Sequence, residues 1–264
     1  MKTTISSIII VVSVMLFGCG RAKATDEILD MLTKRAVQGD ADAQFNLAVM
    51  FVDGRSVTQD DTEAVNWASK AAEQGDVDAQ FFLGWMYAKG RGVTQDDTEA
   101  VNWYRKAAEQ KNADAQFGLG WMYAKGRGVT QDYAEAVKWY RKTAERGHAV
   151  AQKNLADLYA KGRGVTQDDT EAVNWYRKAA EQGHHSAQHN LGVVYDQGLF
   201  GVPQDYAMAY AWYDVSAASG NEYAKKNRAN IIESLSPSQI EKGQSLAEDI
   251  SDRIQKRKQA AEAE

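Results

Sequence analysis

The chain has 264 residues, 44% hydrophobic and 25% charged, which is enough for one or two domains and is the balance of a folded protein rather than a disordered one. Lys+Arg 31 against Asp+Glu 36 leaves a net charge of −5, which argues against a dedicated nucleic-acid binder. One cysteine excludes an intrachain disulfide and a thiolate zinc cluster.

The first 18 residues differ from the rest. Lys2 supplies positive charge, and Ile5–Phe17 is an apolar run of 13 residues broken only by Ser6, Ser7 and Ser13. That is short of the ~20 residues a membrane-spanning helix needs, so residues 1–18 read as a secretory signal peptide. Leu16-Phe17-Gly18-Cys19 resembles a bacterial lipobox (16–19), in which the cysteine becomes the lipidated first residue, although Phe17 is an unusual occupant of its position. Ala22-Lys23-Ala24 offers the other reading, ordinary signal cleavage after Ala24 and a soluble periplasmic protein, but Arg21 and Lys23 place charge beside that cut. The lipobox resemblance implies acyl chains on Cys19 as a membrane anchor. Gly20, in place of an inner-membrane retention Asp, implies the outer membrane, with the protein facing the periplasm.

Residues 19–39 read as a linker and an N-terminal capping helix, centred on 26–38. The remainder is one repeat used many times. Trp67, Trp103, Trp139 and Trp175 are each 36 residues apart, and Trp212 follows after 37 because Leu199-Phe200 lengthens a loop by one residue. Gln44, Gln80, Gln116, Gln152 and Gln188 keep the step of 36. Each unit predicts two helices. The first carries an apolar stripe such as Ala79, Leu83, Met86, Tyr87 and closes at a glycine such as Gly90. The second starts at an aspartate such as Asp96, with Glu99 three residues on as a reciprocal cap. It buries Ala100, Trp103, Tyr104 and Ala107-Ala108. Most second helices end at a glycine; Lys111 stands in that place once and costs about 1 kcal/mol if it turns left-handed.

The five repeats run over about 40–75, 76–111, 112–147, 148–183 and 184–220. Residues 221–258 predict C-terminal capping helices, the last opened by Ser236-Pro237, and 259–264 a frayed tail. One helix pair cannot bury its apolar face alone, so the pairs must stack into an all-α, α/α superhelical solenoid.

Ala79-Gln80 to Tyr87, Gly90 to Asp96 and Ala100 to Ala108 resemble the signature of the Sel1-like repeat family, relatives of tetratricopeptide repeats. The resemblance covers about 40–235. It implies an α/α superhelix that binds other proteins, with exported bacterial members acting as adaptors in the envelope. Cysteine-rich relatives with enzyme-like or β-lactam-binding roles carry a cysteine pair in each repeat. This chain has one cysteine in all, so that activity is not carried over.

Catalytic chemistry finds no home. The aspartate pairs such as Asp96-Asp97 recur at helix starts, as caps do, not in a unique cleft. Lys-Gly-Arg-Gly at 89–92, 125–128 and 161–164 lacks the spacing of a phosphate loop and follows a helix. His185 and His189 stand one helical turn apart and could chelate, but His148 and His184 fall on cap positions and His189 on a slot elsewhere held by Phe. No metal or cofactor is expected. Lys89, Arg91, Lys125, Arg127, Lys161 and Arg163 recur along the loops, where neighbouring acids make a mixed solvated edge.

The informative residues are those that vary on the non-core face of the first helix: Phe45/Val49, Phe81/Trp85, Phe117/Trp121, then Lys153/Asp157 and His189/Val193. Phe81, Trp85, Phe117 and Trp121 are the candidate protein-binding residues, an aromatic ledge for a partner segment. The plainer reading packs the two phenylalanines on a neighbouring helix. The expected role is a non-enzymatic scaffold for envelope or exported proteins, anchored by Cys19, with no nucleic-acid partner. The alternatives are an envelope enzyme, a peptidoglycan-binding accessory, or a secreted virulence-related factor.

Overall fold

A computed structural model describes residues 21–263; the leader and Cys19 lie outside the described residues. Among the described residues all regular structure is helical, in two compact units that divide between Asn112 and Ala113. The first unit holds α1 (Arg21–Val37), α2 (Ala41–Asp53), α3 (Asp61–Glu73), α4 (Val77–Lys89) and α5 (Asp97–Glu109). The second holds α6 (Ala113–Lys125), α7 (Tyr133–Glu145), α8 (Ala149–Lys161), α9 (Asp169–Ala180), α10 (His185–Gln197), α11 (Tyr206–Ala218), α12 (Glu222–Ile232) and α13 (Pro237–Ala263). Within each unit every helix packs on the next in sequence, except that α13 packs on α11. None of the described helices is long and apolar enough to cross a membrane.

Side chains at the helix starts set these boundaries. In the first helices Asp40 and Asp76 accept the N–H of Ala43 and Ala79 at 3.0 and 2.7 Å. In the second helices Asp60, Asp96 and Asp132 each accept two N–H groups of the first turn. The reciprocal half of the expected cap does not form. The Asp96 N–H goes to the carbonyl of Tyr87 at 3.1 Å, so Glu99 has no donor to reach back to and accepts from Asn102 instead. The same bond recurs from Asp60 to Phe51 and from Asp168 to Tyr159, and it fastens each loop across its own hairpin.

The glutamine that marks the repeat joins neighbouring repeats. Buried Gln80 Nε2 donates to the carbonyl of Ala72 at 3.1 Å, as a second donor beside the Gly75 N–H that closes the end of α3. Gln44, Gln152 and Gln188 do the same to Ala36, Ala144 and Ala180. A second glutamine, at the end of the following second helix, donates to the first one's oxygen: Gln74 to Gln44 at 2.7 Å, Gln110 to Gln80 at 2.9 Å, Gln182 to Gln152 at 2.7 Å. In the last repeat Ser219 holds that place and bonds to the carbonyl of Val215, leaving the buried Gln188 Oε1 without a partner.

The second glycine of the loop also acts between repeats. A Cβ on Gly92 would lie 2.0 Å from the carbonyl oxygen of Asp61, and one on Gly164 2.2 Å from the carbonyl carbon of Tyr133. These two loops therefore lie directly against the start of the previous second helix. The first repeat has no second helix before it, and Ser56 takes the same left-handed backbone (φ 61°) there.

Lys111 adopts φ 67°, the left-handed turn that glycine makes in the other repeats. The C-terminal helix departs from expectation. The sequence places a frayed tail over 259–264, yet α13 continues to Ala263, with Arg257 bonded to Glu181 at 2.9 Å and Lys258 against Gly183. Gly243, Ala247, Ile250 and Ile254 form its buried seam, and a Cβ on Gly243 would sit 2.7 Å from the Tyr210 ring.

Three substitutions test these joints. Gly92→Ala is expected to destabilise the chain by about 3 kcal/mol or more in urea unfolding, since it adds a backbone clash to the left-handed cost. Gly75→Ala, also at positive φ but with nothing within 4 Å, is expected to cost about 1 to 2 kcal/mol. Ser219→Gln is expected to stabilise by about 1 kcal/mol, because Ser219 (φ −85°, ψ 11°) already has the backbone of Gln110 (φ −81°, ψ 13°) and the new amide can reach Gln188 Oε1.

Candidate functional site

The candidate residues occupy the first helices, one turn apart: Phe81 and Trp85 on α4 in the first unit, Phe117 and Trp121 on α6 in the second. All four are partly buried rather than fully exposed. Phe81 packs on Tyr104 of α5, ring centroids 5.9 Å apart. Phe117 packs on Tyr140 of α7 at 5.8 Å and lies nearly parallel to the His148 ring, 4.7 Å away and inclined by 24°. The tyrosines in turn lie against small residues: a Cβ on Gly84 would meet the Tyr104 ring at 2.6 Å, and one on Gly120 the Tyr140 ring at 2.9 Å. At these two positions the ring occupies the space that a methyl group would fill.

The tryptophans are braced by the loops. The Arg91 guanidinium lies 5.4 Å from the Trp85 ring centroid, and that of Arg127 lies 5.3 Å from Trp121. Arg91 is itself fixed: Nε and Nη2 donate to the two carboxylate oxygens of Asp61 at 2.9 and 2.5 Å. Arg163 lies 5.5 Å from the ring of Tyr133, the residue that stands in α7 where α3 has Asp61. Arg91 and Arg163 are thus engaged within the fold. The second-helix tryptophans are covered by their own lysines, Lys70 over Trp67 at 4.0 Å and Lys106 over Trp103 at 3.9 Å.

In the later repeats of the second unit the aromatic pair gives way to polar groups. Asp157 accepts from Lys153 at 2.8 Å and from the Tyr176 hydroxyl at 2.6 Å. Burial and then the Asp157 charge hold the Tyr176 hydroxyl far above the usual phenol range, so it stays a donor. Tyr213 repeats the arrangement with Asp196 at 3.1 Å. Sequence reasoning marked Lys153 and Asp157 as non-repeating but missed Tyr176. The missing signal was the offset of 19 residues from Asp157 to Tyr176, which Asp196 and Tyr213 nearly copy at 17. His189 meets Asn190 and Asn227 at 3.4 and 3.2 Å, and the His185 ring meets Ser186. Among the described residues no three His, Cys, Asp or Glu side chains form a group that could hold a metal. Cys19, the expected lipidation site, lies outside the described residues.

The Sel1 repeat family matches residues 41–76, 77–112, 113–148, 149–184 and 185–221, the whole of α2 to α11. The chain belongs to the Sel1 repeat family. Its fold is that family's all-α solenoid of helix-turn-helix repeats. Among solved structures it is similar to a protective antigen of uropathogenic Escherichia coli that displays an SLR fold: 38% identity and TM-score 0.76, covering 87% of this chain and 48% of that one. This chain thus spans about half of the antigen's length. A Sel1 repeat protein from Oxalobacter formigenes is also 38% identical, with TM-score 0.72, over 78% of this chain and 84% of that one. No curated protein matches this chain. Sel1 repeat proteins generally serve as scaffolds that bind other proteins.

Proposed function

We propose that this Sel1 repeat chain is a non-catalytic scaffold of the bacterial cell envelope that binds exported or envelope proteins through its first helices. The observation that carries the reading is the pre-set aromatic pair. Trp85 is held by a guanidinium that Asp61 fixes at both nitrogens, with Phe81 on Tyr104 one turn away. In the second unit Arg127 lies over Trp121, and Phe117 packs on Tyr140. Partly exposed aromatic side chains whose rotamers are already set by packing lose little freedom when a partner covers them, which is the character of binding hot spots. Each pair is proposed as a contact for a partner segment in its own unit. Acyl chains on Cys19 would hold the protein at the outer membrane, facing the periplasm.

The Trp85→Ala, Trp121→Ala double variant is expected to lose at least about tenfold in affinity for the partner captured from envelope extracts, while keeping its helical circular dichroism. Undiminished capture by a folded double variant would overturn this reading. Mass analysis of the mature chain is expected to find an acylated N-terminal Cys19. A free N-terminal Thr25 would instead mean cleavage after Ala24 and a soluble protein.

A further inference from the structure

The side-chain caps of the first helices α2, α4, α8, α10 and α12 are of two chemical kinds. Asp40, Asp76 and Asn221 cap α2, α4 and α12 with oxygen acceptors. His148 and His184 cap α8 and α10 with a ring nitrogen: Nδ1 accepts the N–H of Ala151 at 3.1 Å and that of Ala187 at 3.2 Å. A backbone N–H can only donate, so each Nδ1 must carry its lone pair and each ring must be neutral with its proton on Nε2. The backbone at all of these caps is alike, extended with φ between −60° and −79°, so the chemistry of the acceptor is what differs.

We propose that His148 and His184 make the second unit acid-sensitive: protonation at Nδ1 removes both caps, loosening the first turns of α8 and α10 while the oxygen-capped first helices of the first unit hold. A protonated imidazole has no acceptor left, and its charge sits against the positive end of a helix dipole. A carboxylic acid behaves differently, because its carbonyl oxygen still accepts. Asp76, whose carboxyl is pushed up mainly by burial, therefore keeps a cap even when it takes a proton.

The surroundings favour the neutral rings. Burial is the chief cause that lowers both histidines below the ordinary 6.5. His148 faces the Phe117 ring and the Asp114 carboxylate, both from α6, and the carboxylate opposes the shift. His184 faces His185 of its own helix and Lys153 of α8, which push it further down, and Asp157 of α8, which opposes them. A histidine whose folded value lies below its unfolded one contributes stability that is complete above about 6.5 and is lost as pH falls through the folded value. His148 also stacks on Phe117, so the same protonation reaches the candidate binding face of α6.

The test uses the full chain free of any partner, so it stands or falls apart from the scaffold reading. Nitrogen-15 spectra and amide exchange, corrected for intrinsic rate, would be followed from about pH 7.5 to about pH 4.5. The Ala151 and Ala187 amides are expected to move with midpoints below that of a free histidine. Protection in the first turns of α8 and α10 is expected to drop about fivefold, the loss of a typical cap, with little change in α2 and α4. The His148→Asn, His184→Asn double variant installs the cap that Asn221 already provides, accepting from Ala224 at 3.1 Å, and in it that acid response is expected to vanish. An equal acid response in the folded double variant would overturn the proposal, and so would amides that stay still while the two imidazole rings titrate.

Discussion

The whole arrangement depends on what happens where a second helix ends. Its last carbonyls lose the donor one turn on, and Ala72 keeps the tight-turn N–H of Gly75, which leaves its second lone pair to be met where the next repeat packs on. The buried glutamine of the next first helix answers this by donating to one of those carbonyls, as Gln80 does to Ala72. A buried amide brings a new requirement, an oxygen that needs a donor, and Gln110 meets it from the end of the following second helix. Where Gln44, Gln80 and Gln152 stand, a first helix thus bonds back to the helix before it and is bonded in turn by the helix after it. This makes the stack directional, not merely sticky, and it fixes the register in which the alanine and leucine faces meet.

The glycine pattern follows from the same geometry. Once the glutamine sets how far one repeat lies from the last, the loop at Gly92 is pressed onto the Asp61 carbonyl with no room for a Cβ. The neighbouring Arg91 can then reach the Asp61 side chain with both nitrogens. Backbone approach and ion pair are one contact seen from two sides. Their surroundings are partly exposed, so the pair contributes placement of Trp85 more than net stability.

Most of the fold was legible because the chain states it five times. A step of 36 residues in tryptophan, glutamine and glycine cannot arise from a globule with unrelated segments, and the aspartate starts and glycine ends marked the helices nearly to the residue. What repetition could not convey is what each repeated residue bonds to. Gln80 is visible as a period but its carbonyl partner is not, and Glu99 looks like half of a capping box until Tyr87 is seen to hold the Asp96 amide. The non-repeating parts were harder. The contacts of α13 at Arg257 and Lys258 are to Glu181 and Gly183, which are far away in sequence. The candidate site was legible as a file of unusual residues, whereas its bracing by Arg91 and Tyr104 belongs to packing alone.

The near-copies also act as an internal control on which side chains are free to differ. Cap, glutamine and loop glycine recur because each closes a joint, and where one is replaced the joint changes in a way that can be named, as with Ser56 and Ser219. Position 81 and its equivalents make contacts that differ from repeat to repeat, so Phe81, Phe117, Lys153 and His189 stand on equivalent backbone with different neighbours. Lys153 directs its charge to Asp157, which is also bound by Tyr176, and so presents a surface already satisfied. Phe81 and Trp85 have apolar support behind them and no polar group to satisfy in front except the indole N–H. A partner that covers them removes apolar surface from water, whereas one that covers Lys153 and Asp157 must compete with bonds already made. Under the proposed function, the same helix position is adhesive in one repeat and inert in another, which would give a uniform scaffold a preferred place to bind.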